Sequence, residues 1–236
     1  MNEKERYLFD LQGYLVVENV LSSEQLARLN EAIDSPATKK EEGLLHWGDL
    51  FRELIDDAKL KPYLSEMMGP DFRLDHEYPI FMKKGDGPLR LHGGGTPYDP
   101  GQYYVVRNDK IYSGLTVVSY ALSDIGPDDG GFCCIPGSHK SNYGTPTEYM
   151  DYTEIGPSIH VPQKAGDVLI FTEALTHGTF PWQAGHQRRS LLYKFCPIAI
   201  SWAEYERSPQ LLDLLTDSQK ARLRKPSSSG YLSIHG

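Results

Sequence analysis

The sequence predicts a mainly β protein, a barrel or sandwich of antiparallel strands with helices on either side of it. Three observations carry this. From residue 71 onward, short apolar or β-branched runs are broken by Gly, Pro and Asp, the texture of an all-β core. Ahead of that point, apolar residues recur at helical spacing, and after Pro197 helical spacing returns.

Residues 3 to 12 read as a short helix leading to Gly13, and Tyr14 to Val17 as a brief strand. Ser22-Ser23-Glu24-Gln25 places a hydroxyl cap ahead of carboxylate and amide side chains, a helix start whose Leu26, Leu29 and Ile33 share one face. A second helical zone over 48 to 67 stops near Gly69-Pro70. Strands are expected at 72–83, 102–106, 112–123, 131–135, 158–161, 167–172, 177–180 and 188–198. Asp86-Gly87-Pro88, Pro127-Asp128-Asp129-Gly130-Gly131 and Ala165-Gly166-Asp167 supply turns between them. Leu211, Leu212, Leu214, Leu215 and Leu223 follow in a helical region, and Lys225 to Gly236 reads as a tail. With no repeat and no linker composition, the expectation is one domain over 1–236: helical flank 1–70, β core 71–200 and C-terminal helical tail 201–236.

A formal charge of −8 with no basic stripe argues against a nucleic-acid partner, since such binding draws on Lys and Arg meeting phosphates. No stretch approaches the roughly 20 apolar residues of a membrane span, and the N-terminus lacks the apolar run of a signal peptide, so a cytoplasmic setting is expected. Cys133, Cys134 and Cys196 are an odd set without metal-type spacing, read as reduced thiols in or near the core. A monomer or homodimer acting on a small molecule is the expectation.

Two histidines sit at loop or strand edges: His92 in Leu91-His92-Gly93-Gly94-Gly95 and His177 in Thr176-His177-Gly178-Thr179. Two imidazoles brought together by the fold could bind iron, which non-haem oxygenases hold with two histidines and a carboxylate on one face. Arg188, eleven residues after His177, offers a fixed fork for a dicarboxylate. Thr179 shares the strand face of His177, and its hydroxyl could join Arg188 on that carboxylate. Arg189 points to the opposite face, and a one-residue slip would exchange the two arginines.

The chain resembles the phytanoyl-CoA dioxygenase-like Fe(II)/2-oxoglutarate oxygenases over most of its length. The resemblance rests on Gly13-Tyr14-Leu15-Val16-Val17-Glu18-Asn19-Val20-Leu21, on Gly130-Gly131-Phe132-Cys133-Cys134-Ile135-Pro136-Gly137-Ser138-His139-Lys140, and on Ala165-Gly166-Asp167-Val168-Leu169-Ile170-Phe171 ahead of His177, with Arg188 at the family's spacing. It implies a double-stranded β-helix, a jelly-roll, cupin-like barrel with flanking helices. It also implies Fe(II), 2-oxoglutarate and O2 as metal and co-substrates: His92 and His177 on iron, Arg188 and Thr179 on the far carboxylate of 2-oxoglutarate. Succinate and CO2 would be released as a substrate C–H bond is oxidised, the protein supplying position and dryness.

The family's His-X-Asp reads His92-Gly93-Gly94 here. Three readings follow. A hydroxylase takes its third ligand from elsewhere, Asp99 and Glu173 being nearest in sequence, or from water. A halogenase places chloride, or water, in the position opened by Gly94. A cupin-like binding barrel lacks this chemistry altogether.

Other residues have structural uses. His139 is expected to bond loop backbone, and His76 and His186 to lie near the site or in solvated loops. Tyr98, Tyr103 and Tyr104, in the segment after His92, are expected to form a lid. Arg107, Asn108 and Lys110 make a charged hairpin turn or contact an anionic substrate.

Overall fold

The computed structural model describes residues 1–38, 43–94, 97–150, 156–204 and 207–228. The elements run α1 (Glu3–Gln12), β1 (Tyr14–Val17), α2 (Ser23–Asp34), α3 (Asp49–Arg52), α4 (Lys61–Met68), β2 (Arg73–Met82), β3 (Leu89–His92), β4 (Tyr104–Arg107) and β5 (Lys110–Ser113). They continue with β6 (Thr116–Ala121), β7 (Gly131–Cys134), α5 (Thr147–Met150), β8 (Ile159–His160), β9 (Val168–Thr172), β10 (His177–Phe180), β11 (Arg188–Cys196), α6 (Pro209–Asp213) and α7 (Asp217–Arg222).

Two antiparallel sheets face one another in a cupin-like jelly roll. The larger has the order β1-β9-β6-β11-β2 and the smaller β3-β10-β7-β8, with β4 and β5 as a separate hairpin. Strand alternation explains both layers of the core. On β11, Leu191, Tyr193 and Phe195 join the helical layer, packed with Phe51, Leu54 and Ile55. Tyr193 and Tyr120 donate their hydroxyls to Phe51 O and Leu54 O at 2.7 and 3.1 Å, which satisfies two otherwise buried polar groups. Between the sheets, Val117, Leu169, Phe171 and Leu192 meet Phe132 and Cys134. Fully burying a side chain of this size contributes about 1.5–3 kcal/mol, so both faces of the larger sheet are strongly specified.

The helix starts follow their caps. Asn2 and Ser22 each close a capping box, with Glu5 and Gln25, and Gly13 ends α1 at φ +84, which only glycine adopts freely. Asp167 fastens the turn before β9 by accepting from Lys164 N and Asn19 N, both at 2.9 Å.

Three expectations change. The helical zone at 48–67 is broken into α3, a 3-10 turn and α4, with Pro62 in the first turn of α4. The strand expected over 112–123 divides at Gly114, because Leu115 N and Gly114 N bond to Gly101 O and Tyr103 O instead of to a sheet partner. The strand β3, which carries His92, was not expected; it is four residues long and buries only Leu91. All three cysteines are free and buried. Among the described residues no helix is long and apolar enough to cross a membrane.

Candidate metal centre

The β3–β10 pair sets the site. His177 is the direct register partner of His92, and the two rings lie 4.3 Å apart, centre to centre. His92 Nδ1 lies 2.9 Å from Arg90 O, and His177 Nδ1 lies 2.7 Å from Leu175 O. A carbonyl oxygen only accepts, so each Nδ1 carries a proton, which in a neutral ring leaves Nε2 as the metal-binding nitrogen. Such a bond fixes the ring and the tautomer of a metal-binding histidine. Burial pulls His177 down to about 4 against the opposing pull of Glu173, so its imidazole is neutral near pH 7.

Glu173 is a third candidate donor. His92, Glu173 and His177 offer ligand atoms all within 4.8 Å of one another, with Glu173 Oε2 at 3.9 Å from His177 Nε2. Burial alone would raise the Glu173 pKa, but neighbouring positive charge overcomes it and the net shift is downward; with His177 neutral near pH 7, the Lys194 ammonium is the charge that holds it there. The carboxylate is therefore charged. Lys194, on β11, places Nζ 2.7 Å from Glu173 Oε1, a charge contact without the alignment of a full hydrogen bond.

The turn that presents Glu173 is buried along its whole length, Glu173 to Thr176, yet its backbone is satisfied. Glu173 N donates to Leu115 O at 2.9 Å, Leu175 N to Thr172 O at 2.9 Å, and Ala174 N to Thr172 Oγ1 at 3.3 Å. Thr176 N donates to Ser138 Oγ at 2.8 Å, so the Pro136-Gly137-Ser138-His139 turn anchors the strand entry. Gly93 fits against this turn only as glycine. A Cβ there, at φ +77, would stand 2.7 Å from Glu173 O and 2.8 Å from Leu175 O.

Asp99 does not join the cluster: its Oδ1 accepts from Gly101 N at 2.6 Å and Gln102 N at 3.1 Å, closing its own loop. Gly94 is at φ +105, and a Cβ on it would meet Thr176 Oγ1 at 3.0 Å. Thr176 alternates with His177 along the chain, so that direction leads away from the histidine face.

Arg188 points between the sheets. It is 3 % exposed, with Nη1 3.3 Å from Met82 Sδ and Nε unbonded, and burial draws its pKa down to about 10. Among the described residues no carboxylate pairs with it. A buried cation in that state is costly, and an anionic ligand would relieve it. Thr179, buried on β10, shares the face of His177. Arg189 turns outward to Asp34 at 2.6 Å, so the register places Arg188 inside.

The expected lid is redistributed. Tyr104 is buried, donates its hydroxyl to Asp10 Oδ1 at 2.9 Å and meets the His139 ring edge-on at 4.7 Å; it braces α1 and does not cover the histidines. Tyr98 and Tyr103, with ring centres 6.4 Å apart, line a groove with Arg107, Asn108 and Tyr112 that none of the three clustered residues enters. Asn108 and Asp109, at φ 50 and 59, form the β4–β5 hairpin turn. His139 bonds Asp10 O at 3.0 Å and His186 bonds Asp124 O at 2.9 Å, both structural. His76 is on β2 opposite Lys194, held by Asp75 Oδ2 at 2.7 Å. Sequence reasoning missed Lys194, although a lone charge in Leu191-Leu192-Tyr193-Lys194-Phe195 was a signal.

Two facing sheets that bring the buried His177 and Glu173 beside the exposed ring of His92 define a jelly roll with a candidate mononuclear metal centre. The chain belongs to the phytanoyl-CoA dioxygenase (PhyH) family of Fe(II)/2-oxoglutarate-dependent oxygenases, whose family model matches residues 72–190, half of the chain. Among solved structures it is similar to HygX from Streptomyces hygroscopicus with nickel and 2-oxoglutarate bound, at 24% identity and TM-score 0.77, covering 89% of this chain and 94% of that one. AviO1 from Streptomyces viridochromogenes Tue57 matches at 18% identity and TM-score 0.65, over 86% of this chain and 98% of that one. The non-haem α-ketoglutarate-dependent epimerase SnoN from nogalamycin biosynthesis matches at 20% identity and TM-score 0.61, covering 84% and 83%. HygX has also been solved with hygromycin B, and SnoN with nogalamycin RO. No curated protein sequence matches.

Proposed function

We propose that this protein is an Fe(II)- and 2-oxoglutarate-dependent oxygenase that oxidises a C–H bond of a small molecule, hydroxylation being the simplest outcome, with release of succinate and CO2. The observation that carries this reading is the conjunction of His92 and His177 clustered with the charged Glu173, their ligand atoms within 4.8 Å of one another, with a buried, carboxylate-free Arg188. The donor set suits iron: two imidazoles and one carboxylate are the ligands of non-haem Fe(II) oxygenases.

In this reading His92, His177 and Glu173 hold the metal. Arg188 takes the far carboxylate of 2-oxoglutarate through its fork, with Thr179 as a further donor. Bound iron and 2-oxoglutarate together supply O2-dependent oxidation of an unactivated C–H bond. The chain's part is to fix both histidine tautomers, to hold Glu173 ionised and to keep water from the interior with Val117, Phe132, Phe171 and Leu192. Glu173 replaces the missing aspartate, so the position opened at Gly94 is not needed for chloride, and hydroxylation is favoured over halogenation. The relatives' ligands favour a small-molecule substrate here as well.

Anaerobic protein mixed with Fe(II) and 2-oxoglutarate tests this. A visible charge-transfer band from the chelated 2-oxoacid is expected, together with succinate formation once O2 is admitted. A colourless mixture under saturating iron would overturn the enzyme reading and leave a cupin-like binding barrel.

A further inference from the structure

The carboxylate of Glu173 has two differently engaged oxygens. Oε2 faces His177 Nε2 at 3.9 Å, while Oε1 faces Lys194 Nζ at 2.7 Å. Both side chains are nearly buried, at 4% and 11% exposure. Lys194 is itself fixed: its ammonium lies 5.3 Å from the centre of the Tyr78 ring, and Tyr78 stacks on His76 with centres 6.0 Å apart. Asp75, which holds His76, is anchored by Trp202 N and Ala203 N, both at 2.9 Å. Lys194 therefore approaches Glu173 from a braced wall.

The coordination count makes this pairing matter. A six-coordinate metal with two imidazoles and one carboxylate oxygen keeps three positions, enough for a chelating 2-oxoacid and O2. A carboxylate that binds through both oxygens leaves two. An aspartate on a loop is restrained by its short side chain, whereas a glutamate has one more rotatable bond and reaches around a metal more easily.

Resting on the reading that Glu173 is a metal ligand, we propose that Lys194 is a positioning residue that occupies Glu173 Oε1 and so keeps the carboxylate a one-oxygen ligand, preserving the positions that 2-oxoglutarate and O2 require. The charge placed against Oε1 is what matters. Lys194→Arg keeps it, and Lys194→Met keeps the packing stem alone.

The test uses Co(II) in place of Fe(II), so that no turnover is needed. Crystal structures of Co(II)-loaded wild type, Lys194→Met and Lys194→Arg are compared, and 2-oxoglutarate affinity is measured by calorimetry on the same proteins. The expected result is one Glu173 oxygen on Co(II) in wild type and Lys194→Arg, and two in Lys194→Met, whose 2-oxoglutarate affinity falls by roughly tenfold or more, within the range of outer-partner changes at metal sites. Two oxygens in wild type, or one oxygen and unchanged affinity in Lys194→Met, would overturn the proposal while leaving the ligand set intact. If Glu173→Gln binds Co(II) as wild type does, or wild type binds none, the ligand reading itself is wrong and the role of Lys194 goes with it. Should Lys194→Met not fold, Lys194→Gln carries the same comparison.

Discussion

His92 and His177 stand directly opposite one another across the β3–β10 pair, each ring tethered through Nδ1 to a carbonyl two residues back in the chain. The candidate metal site is thus organised by the fold itself, through one register pairing and two backbone bonds. His92→Ala and His177→Ala are each expected to weaken Co(II) binding by more than about 100-fold, above the range for outer-partner changes. Titration followed by the Co(II) absorption bands checks this, and unchanged affinity in either variant would remove that histidine from the ligand set.

Arg188 gives a prediction with two opposed signs. Its guanidinium is buried without a carboxylate, so Arg188→Met removes an uncompensated charge and should raise the melting temperature of the ligand-free protein. The same change deletes the partner of the far carboxylate and should weaken 2-oxoglutarate binding by roughly 30-fold or more, as for truncating a buried charge pair. Thermal melts with and without metal plus 2-oxoglutarate read both effects. A variant less stable alone, yet still stabilised by 2-oxoglutarate, would contradict the assignment.

The glycines at 93 and 94 separate two ideas about the missing aspartate. Gly93→Ala forces a Cβ against two carbonyls at φ +77 and should destabilise the protein by about 2 kcal/mol or more, measured by urea unfolding. Gly94→Asp aims its side chain at Thr176, so the double variant Glu173→Gln/Gly94→Asp should bind Co(II) no better than Glu173→Gln alone. Recovery of binding in the double variant would show that residue 94 reaches the metal after all. Chloride should leave 2-oxoglutarate affinity of the wild type unchanged.

Much of this site was legible in the sequence because the relevant residues lie in segments with strong periodicity. β10 and the start of β11 carry His177, Thr179 and Arg188, and strand alternation alone put Arg188 and Arg189 on opposite faces. The third candidate ligand was not decidable there. Asp99 and Glu173 were the carboxylates nearest in sequence, and only the fold shows that the first closes its own turn while the second enters the histidine cluster. The strand β3 was missed because its alternation spans only four residues, Leu89 to His92, and pairing with β10, a long-range event, defines it. Lys194 was overlooked because its partner is 21 positions away in sequence, on the turn between β9 and β10.

His139 makes the pH dependence of stability predictable. It is buried, its Nε2 bonds Asp10 O at 3.0 Å, and burial lowers its pKa from 6.5 to about 4. A histidine held neutral in the native state is protonated more readily in the unfolded chain, so between pH 6.5 and about 4 the unfolded state binds more protons. Stability should therefore be highest above the unfolded value, fall as pH drops through that window, and level off for this group below it. A shift of this size corresponds to about 3 kcal/mol at the acid end. His139→Gln should lower stability near neutrality, through loss of the Tyr104 and Asp10 contacts, yet show a flatter decline on acidification. His177 carries a similar downward shift and keeps part of the slope in that variant. Urea unfolding of metal-free wild type and His139→Gln at intervals from pH 7.5 to about 4.5 checks this. Parallel curves would mean that His139 is not the group being titrated.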